Sequence, residues 1–461
     1  MKVRLERIGP LRQAEFEIGD MTIICGDNNT GKTYATYTFY GFLMFWEEGF
    51  SINVQDETLK SLVHDGVVHL PIGKFVGNYR KILERASRRY TSSLSRVFAS
   101  PEKRFEDAKV YVALDEEEIK PRDEYEQVFR TSKREIVSIS KAPNTDHIEI
   151  NLLTERPDQV IPRFVLKRAI GEAVKEIIFN RVFPRPFIAS AERTGAAIFR
   201  KELDFARNRL LEQMSSMERQ LDPFKLLDKV YSDYALPVRR NVDFTRQLED
   251  IAKEESFISK QYPNLLTCFE DIIGGTYKIV RNSLYYIPQK GNVRLTMDES
   301  SSGVRSLLDI GFYLRHVAKP GDILMIDEPE LNLHPCNQCR LVRLFVRLMN
   351  LGIKVFMTTH SDYIIKELNT LIMLNHDSPR LRRIMENEGY KSGELLSSDK
   401  VKVYIAEEAL AMLPGGKRRT RLLTLVPADI DPEIGIEARS FDKTIEEMNR
   451  IQEEILFGKE E

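Results

Sequence analysis

Apolar and polar residues alternate from the first positions of the chain. Val3, Leu5 and Ile8 form one apolar run, and Ala14, Phe16 and Ile18 alternate with charges, the period-two signature of strands with one buried face. Met21-Thr22-Ile23-Ile24-Cys25 is a short apolar run, which predicts a strand covered on both faces. A loop with two glycines follows it, and Tyr34 to Trp46 is apolar enough for a buried helix. From about Glu47 to Arg181 the pattern is mixed, with alternating segments at 109–113 and 148–152. It predicts an inserted α+β region. Phe187-Ile188-Ala189-Ser190 reads as a further core strand.

Phe199, Leu203, Ala206, Leu210, Met214, Met217 and Leu221 step by four and three, the stripe of an amphipathic helix, which Asp222-Pro223 stops. Helical sequence then continues to Phe269 with breaks near Pro237 and Pro263. A short hairpin or small bundle fits this better than a long coiled-coil arm. Residues 274–378 return to strands and helices. Segments around Tyr277 to Val280, Tyr285 to Ile287 and Val293 to Met297 precede Ser300-Ser301-Ser302-Gly303 and a helix. Two buried-type strands follow, one ending in Asp327-Glu328 and the other in Thr358-Thr359-His360; both suit parallel strands sandwiched by helices. The last stretch holds a basic patch (Lys417, Arg418, Arg419, Arg421) and a helix from about Phe441, with Ile445, Met448, Ile455 and Leu456 apolar. No internal repeat or low-complexity tract interrupts the chain. The expected organisation is thus 1–46, 47–181, 182–270, 271–378 and 379–461, with the first and fourth segments forming one split α/β head.

Composition changes this picture little. At 461 residues, 42% hydrophobic and 30% charged, the chain is an ordinary globular protein with room for more than one packed unit. Lys+Arg of 68 against Asp+Glu of 70 leaves it near neutral, so any nucleic-acid contact must come from a local patch. Two stretches could supply one, Arg80, Lys81, Arg85, Arg88 and Arg89, and the 417–421 patch, although a solvated charged face is the commoner origin of such stretches. No apolar run reaches the length of a membrane span, and Met1-Lys2-Val3-Arg4 does not open a signal peptide. Four cysteines make no disulfide framework, which leads us to expect a reducing, cytoplasmic location. Cys336 and Cys339 form a C-x-x-C, but no second pair completes four zinc ligands, and no metal or redox role is assigned to them.

Gly26-Asp27-Asn28-Asn29-Thr30-Gly31-Lys32-Thr33 matches G-x-x-x-x-G-K-[ST] in full. Between a buried strand and a helix, such a loop curls backbone N–H groups around phosphates at a helix N-terminus, with a lysine charge and a threonine hydroxyl for Mg²⁺. The phosphate-binding set is therefore Gly26, Asn28, Asn29, Thr30, Gly31, Lys32 and Thr33. Asp327-Glu328, after four apolar residues, supplies the acidic half: a carboxylate for the magnesium and a second to orient or deprotonate water. The metal residues are thus Thr33 and Asp327, and Glu328 is the candidate base.

Asp327-Glu328-Pro329-Glu330-Leu331-Asn332-Leu333-His334-Pro335 resembles the Walker B and D-loop of ABC-type ATPases in the SMC, RecF and OLD group. Thr358-Thr359-His360-Ser361 resembles their switch histidine, and Ser301-Ser302-Gly303-Val304-Arg305-Ser306-Leu307 their shortened signature motif. The resemblance covers residues 1–45 and about 270–378. It implies a split ABC head, a mixed sheet with flanking helices, which takes ATP and Mg²⁺ and hydrolyses ATP. It further implies homo-oligomers in which Ser302 and Gly303 of one copy touch the γ-phosphate held by Lys32 of another, with His360 sensing that phosphate. The signature lacks the Leu-Ser-Gly-Gly-Gln pattern of transport ATPases, against a membrane transporter. Glu192-Arg193-Thr194-Gly195 follows a core strand and reads either as a coupling element at the Q-loop position or as a salt bridge. Asp429, Asp431 and Glu407-Glu408 do not build the Toprim nuclease unit of OLD proteins. The architecture is similar to ATPase subunits of the Septu and PARIS anti-phage systems. That likeness implies a separate HNH or Toprim nuclease partner, a phage protein as trigger and control of the nuclease through head engagement. A RecF-like DNA-repair ATPase and an ATP-stabilised scaffold without hydrolysis are the alternatives.

Overall fold

The computed structural model describes residues 1–131, 134–154, 162–179, 182–199, 234–281, 283–291, 293–412, 418–437 and 439–457. The amphipathic stripe from Leu203 to Leu221 and Lys417 lie outside them. The chain forms two compact units, one of residues 1–3, 42–92 and 110–185, the other of residues 4–41, 93–109 and 186–461.

The larger unit is built on a mixed sheet. Its first strands, β1 (Lys2–Ile8) and β2 (Leu11–Glu17), are paired neighbours outside that sheet. The central sheet contains β3 (Met21–Cys25), β4 (Pro186–Ala189), β5 (Ile323–Asp327), β6 (Lys354–Thr359), β7 (Val401–Met412) and β8 (Arg419–Pro427), in the order β8-β7-β3-β6-β5-β4. Five strands are parallel and β8 runs antiparallel to β7. Every residue of β3 and of β5 is buried, as the uninterrupted apolar runs predict for strands covered on both faces. Fully burying each large aliphatic side chain of these strands stabilises by roughly 1.5–3 kcal/mol, so the core lies along this sheet. The register sets Asp327 beside Thr358 and Cys25 between Thr359 and Ile405, which aligns the carboxyl ends of neighbouring strands along one edge.

The helices that carry the motifs are α1 (Lys32–Met44), α2 (Arg193–Ile198), α3 (Leu236–Arg246), α4 (Ser302–Ser306), α5 (Pro335–Asn350) and α6 (Asp362–Met373). Helix α5 begins with Pro335 at its first turn, capped by His334, whose Nδ1 accepts from the Cys336 N–H at 3.3 Å. Cys336 and Cys339 ride on this helix as free thiols, and no group of three or more His, Cys, Asp or Glu side chains placed to hold a metal ion occurs among the described residues. Strand β4 lies at the sheet edge. There Asn241 of α3 bonds its backbone, accepting from Ser190 N at 2.8 Å and donating to Ile188 O at 2.5 Å, so polar edge groups find partners. The segment expected as a strand at 293–297 contributes only a bridge, Leu295 to Tyr286, beside the hairpin of Gly275–Val280 and Ser283–Pro288. Strands β7 and β8, from the last segment of the chain, are part of the central sheet, a placement the sequence pattern did not announce. A final helix, α7 (Arg439–Phe457), ends the described chain. None of the described helices is long and apolar enough to cross a membrane.

The smaller unit carries a four-stranded antiparallel sheet ordered Val67–Pro71, His147–Leu152, Arg134–Lys141, Tyr125–Thr131. Its core is aromatic, with Phe42, Trp46, Phe50, Tyr90, Phe179 and Phe183 in ring contact. Helix Arg163–Phe179 packs so closely on the chain that a Cβ at Gly171 would sit 2.2 Å from the Ile52 carbonyl. From the same helix the buried Lys175 donates to the Trp46 and Phe50 carbonyls, both at 2.7 Å, satisfying the end of the helical turn 45–49.

Candidate functional site

Strand β3 delivers the chain into the glycine loop at the carboxyl edge of the sheet. Gly26 (φ +132°) and Gly31 (φ +97°) adopt backbone that side chains rarely reach. A Cβ at Gly26 would stand 2.6 Å from the Ala406 carbonyl of β7, and one at Gly31 2.7 Å from Leu11 Cγ. Thr30 Oγ1 donates to Asp27 O at 2.7 Å. Lys32 is buried, and its Nζ donates to the carbonyls of Gly26 (2.9 Å) and Asp27 (2.7 Å). Burial pulls its pKa below the usual lysine value, while Glu328, Asp327, Glu330 and Asp27 oppose that pull. Residues Asn28 to Tyr34, with Pro10 and Glu328, line a cleft of about 620 Å³.

The acidic half stands at the end of β5. Asp327 is 1% exposed, accepts a hydrogen bond from the Thr358 hydroxyl, and has no hydrogen-bond partner for Oδ2. Burial pushes its pKa up to about 6, with the Glu328 charge adding and the Thr358 and Thr33 hydroxyls opposing. A buried carboxylate oxygen left open beside a hydroxyl is costly unless a cation or donor reaches it, so Thr33 and Asp327 suit a hard divalent ion. Glu328 has φ +53°, an unusual conformation for a residue with a side chain. Such backbone costs about 1–3 kcal/mol and persists where its surroundings over-determine it. Here the Glu328 N–H donates to the carbonyl and hydroxyl of Thr358, both at 3.2 Å, and its carbonyl accepts from Arg193 Nη2 at 2.8 Å.

His360 follows β6. Its Nδ1 is 3.6 Å from Glu328 Oε1 and 3.5 Å from Glu330 Oε1. Glu330 is buried and accepts from Thr359 Oγ1 and from the His360 N–H, each at 2.8 Å. The D-loop carboxylate therefore fixes the backbone on which the histidine sits. Ser361 Oγ donates to Gln338 Oε1 at 2.5 Å, tying the same turn to α5.

Ser302 and Gly303 do not line the cleft; they open the short helix α4, whose N-cap is Ser301. This helix packs on the D-loop: a Cβ at Gly303 would meet the Asn332 carbonyl at 2.9 Å, and Ser306 Oγ donates to Leu331 O at 3.1 Å. Within one chain, then, the structure gathers Asn28 to Thr33 with Glu328 around one cleft, and sets Asp327 and His360 on the adjoining strand ends. Ser302 and Gly303 are not among the residues that line that cleft.

Arg193 is the residue whose weight the sequence left open. It is the largest fully buried side chain among the described residues. Nε donates to Ser306 O (2.7 Å), Nη1 to Ser190 O (2.8 Å) and Asp327 O (2.7 Å), and Nη2 to Glu328 O (2.8 Å). One guanidinium thus joins the signature helix, the edge strand and both acidic positions through their backbones, and the salt-bridge reading gives way to a carbonyl hub. Burial lowers its pKa, with Asp327 and Asp309 the main opposing charges. Its neighbour Glu192 accepts instead from Tyr37 OH of α1 at 3.0 Å. Glu330, Thr358 and Asp309 are the contributors sequence reasoning missed. Glu330 and Thr358 stood inside quoted motifs without a role of their own, and Asp309 carried no local signal.

Residues 166–365 match a family model described as AAA ATPase domain, fewer than half of the 461 residues. The match takes in Arg193, Ser302, Asp327 and His360 but not the phosphate loop. No curated protein matches the chain. Solved structures that it is similar to include an SMC head bound to the C-terminal winged-helix domain of ScpA (12% identity, 92% of this chain and 97% of the other, TM-score 0.33). An SMC head domain from Thermotoga maritima (12%, 93% and 98%, 0.29) is another. A third is an Smc head with an extended coiled coil bound to the C-terminal domain of ScpA from Pyrococcus furiosus (14%, 98% and 98%, 0.31). At such TM-scores these overlays add nothing to what the chain's own topology shows.

Proposed function

We propose that this chain is an ABC-type ATPase head that binds ATP with Mg²⁺ and hydrolyses it to ADP and phosphate. The observation that carries this reading is the open, buried Asp327 oxygen at the end of β5, next to a Glu328 that faces the phosphate-loop cleft. In this reading the β- and γ-phosphates take the loop N–H groups of 28–33, and Lys32 Nζ leaves the Gly26 and Asp27 carbonyls for phosphate oxygens. Thr33 and Asp327 would hold a Mg²⁺ ion, which when bound would supply charge neutralisation. Glu328 orients a water and accepts its proton as that water attacks the γ-phosphorus, and the ADP oxygen leaves in line. His360, held by the D-loop carboxylate, lies close enough to Glu328 to stabilise the developing charge. The α4 residues Ser302 and Gly303 serve the site of a second copy, which accounts for their absence from the cleft of their own chain.

The wider role we assign is that of an oligomeric ATPase subunit in an anti-phage system, where nucleotide-dependent engagement of heads controls a separate HNH or Toprim nuclease. Its support is the order and form of the four motifs. Steady-state phosphate release tests the chemistry: wild-type turnover no greater than that of Glu328→Gln would sink it. Phage plating on cells carrying this gene within its native gene neighbourhood tests the role, and equal plating with Lys32→Ala would overturn it.

A further inference from the structure

Three arginines of α5, Arg340, Arg343 and Arg347, line a second cavity of about 410 Å³ with Lys391, Cys268 and Glu394 among the other walls. At positions i, i+3 and i+7 they lie on one helix face and span roughly 10 Å along the axis, at 1.5 Å per residue. Four cations face two lining carboxylates, those of Asp271 and Glu394. Both acids are engaged: Asp271 Oδ1 accepts from Gln289 Nε2 at 2.8 Å, and Glu394 Oε2 from the Lys391 N–H at 3.0 Å.

The arginines are held in different ways. Arg343 lies over the Tyr390 ring at 3.9 Å, and its Nε donates to Glu367 at 2.5 Å, so its plane is fixed while other donors remain. Among the described residues Arg347 Nη1 donates only to a thiol, Cys268 Sγ, at 2.9 Å, a weak acceptor. Arg340 is exposed, with no hydrogen-bond or ion-pair partner among the described residues. Guanidinium groups in a row, one fixed by its ion pair with Glu367 and two with no carboxylate partner among the described residues, match a chain of phosphate oxygens by forked hydrogen bonds, and fixing a group beforehand lowers the entropy lost on binding.

We propose that this cavity binds a small polyphosphate-bearing molecule, at a site separate from the phosphate loop. The phosphates run along α5 from Arg340 to Arg347, with Lys391 closing the open side. Helix α5 starts at the D-loop and carries Gln338, the partner of Ser361, so such a ligand would share a rigid element with the nucleotide site.

Inorganic pyrophosphate is the probe, titrated calorimetrically into the full chain carrying Lys32→Ala, which removes the phosphate-loop lysine. One site is expected. Adding Arg340→Glu, at an exposed position where folding is not at stake, should weaken it at least tenfold, and Arg347→Ala should act in the same direction. Arg85→Glu, on the other unit, should leave it unchanged. No heat of binding, affinity indifferent to Arg340→Glu, or citrate binding as tightly as pyrophosphate would each overturn the assignment.

Discussion

Replacing Arg193 by alanine removes four hydrogen bonds from a buried charge and leaves the carbonyls of Ser190, Ser306, Asp327 and Glu328 without that donor. Bonds to a charged group contribute roughly 1.5–3 kcal/mol each, but water entering the vacated space would resolvate some carbonyls. The expectation is therefore about 3–5 kcal/mol, the upper range for a single substitution that breaks a buried hydrogen-bond network, and not the sum of four bonds. The loss should fall unevenly on function. The Glu328 backbone, at φ +53°, loses one of the two clamps that hold it, and a displacement of about 1 Å at a reacting group costs on the order of a hundredfold in rate. Among the described residues Arg193 bonds Ser190, Ser306, Asp327 and Glu328 and nothing in the phosphate loop, so ATP affinity should stay within about threefold of wild type, well under the ~1.4 kcal/mol that a tenfold change represents. Urea denaturation gives the stability change, nucleotide binding the affinity and phosphate release the turnover. Arg193→Ala within 1 kcal/mol of wild type with unchanged turnover would refute the hub, as would affinity and turnover falling together by the same factor.

Other perturbations separate the remaining parts. Lys32→Ala should abolish ATP binding, read by equilibrium dialysis, because it removes the one cation held inside the loop. Gly303→Ala should destabilise by about 1–3 kcal/mol even without nucleotide, since its Cβ meets the Asn332 carbonyl at 2.9 Å; a variant as stable as wild type would return Gly303 to a purely ligand-facing role. Asp309, buried beside Arg193, has its pKa pushed up to about 7 by burial, with Arg193 and the Thr245 hydroxyl opposing. The folded state binds that proton more tightly than the unfolded state, so its contribution is full below about pH 4 and is lost as pH rises through about 7. Asp309→Asn should flatten that slope in urea midpoints measured between pH 4.5 and 8, and parallel curves for the two proteins would refute it.

The motifs were readable because each imposes a local pattern. The glycine loop needs two glycines and a lysine at fixed spacing, and β3 and β5 need uninterrupted apolar runs. Arg193 was only half legible. Its place after a core strand suggested coupling, yet nothing local says whether a guanidinium ends on carboxylates or on four carbonyls. Those partners lie up to 135 residues away. Glu330 looked like one more acid in a turn, and its anchoring of the His360 backbone appears only when β5 and β6 stand side by side. The tail was the least legible part. Strand β7 is buried where it meets β3 and exposed beyond it, and such a change of environment along one strand leaves no single period to read.

The neighbours of β3 have a consequence for how the chain matures on the ribosome. The strand leading into the glycine loop is flanked by β6 and β7, whose pairing residues begin at Val355 and Val401, and the Cys25 thiol meets the Tyr404 carbonyl across 379 positions of sequence. Contacts so distant form late, because closing such long loops precedes any gain from them. The first motif to be translated is then among the last to be completed. A nascent chain stalled before residue 401 would carry the entire Gly26–Thr33 sequence and lack the strand that walls one side of it. In the proposed function, nucleotide capture then rests on strands as far along the chain as β7 and not on the Gly26–Thr33 segment alone.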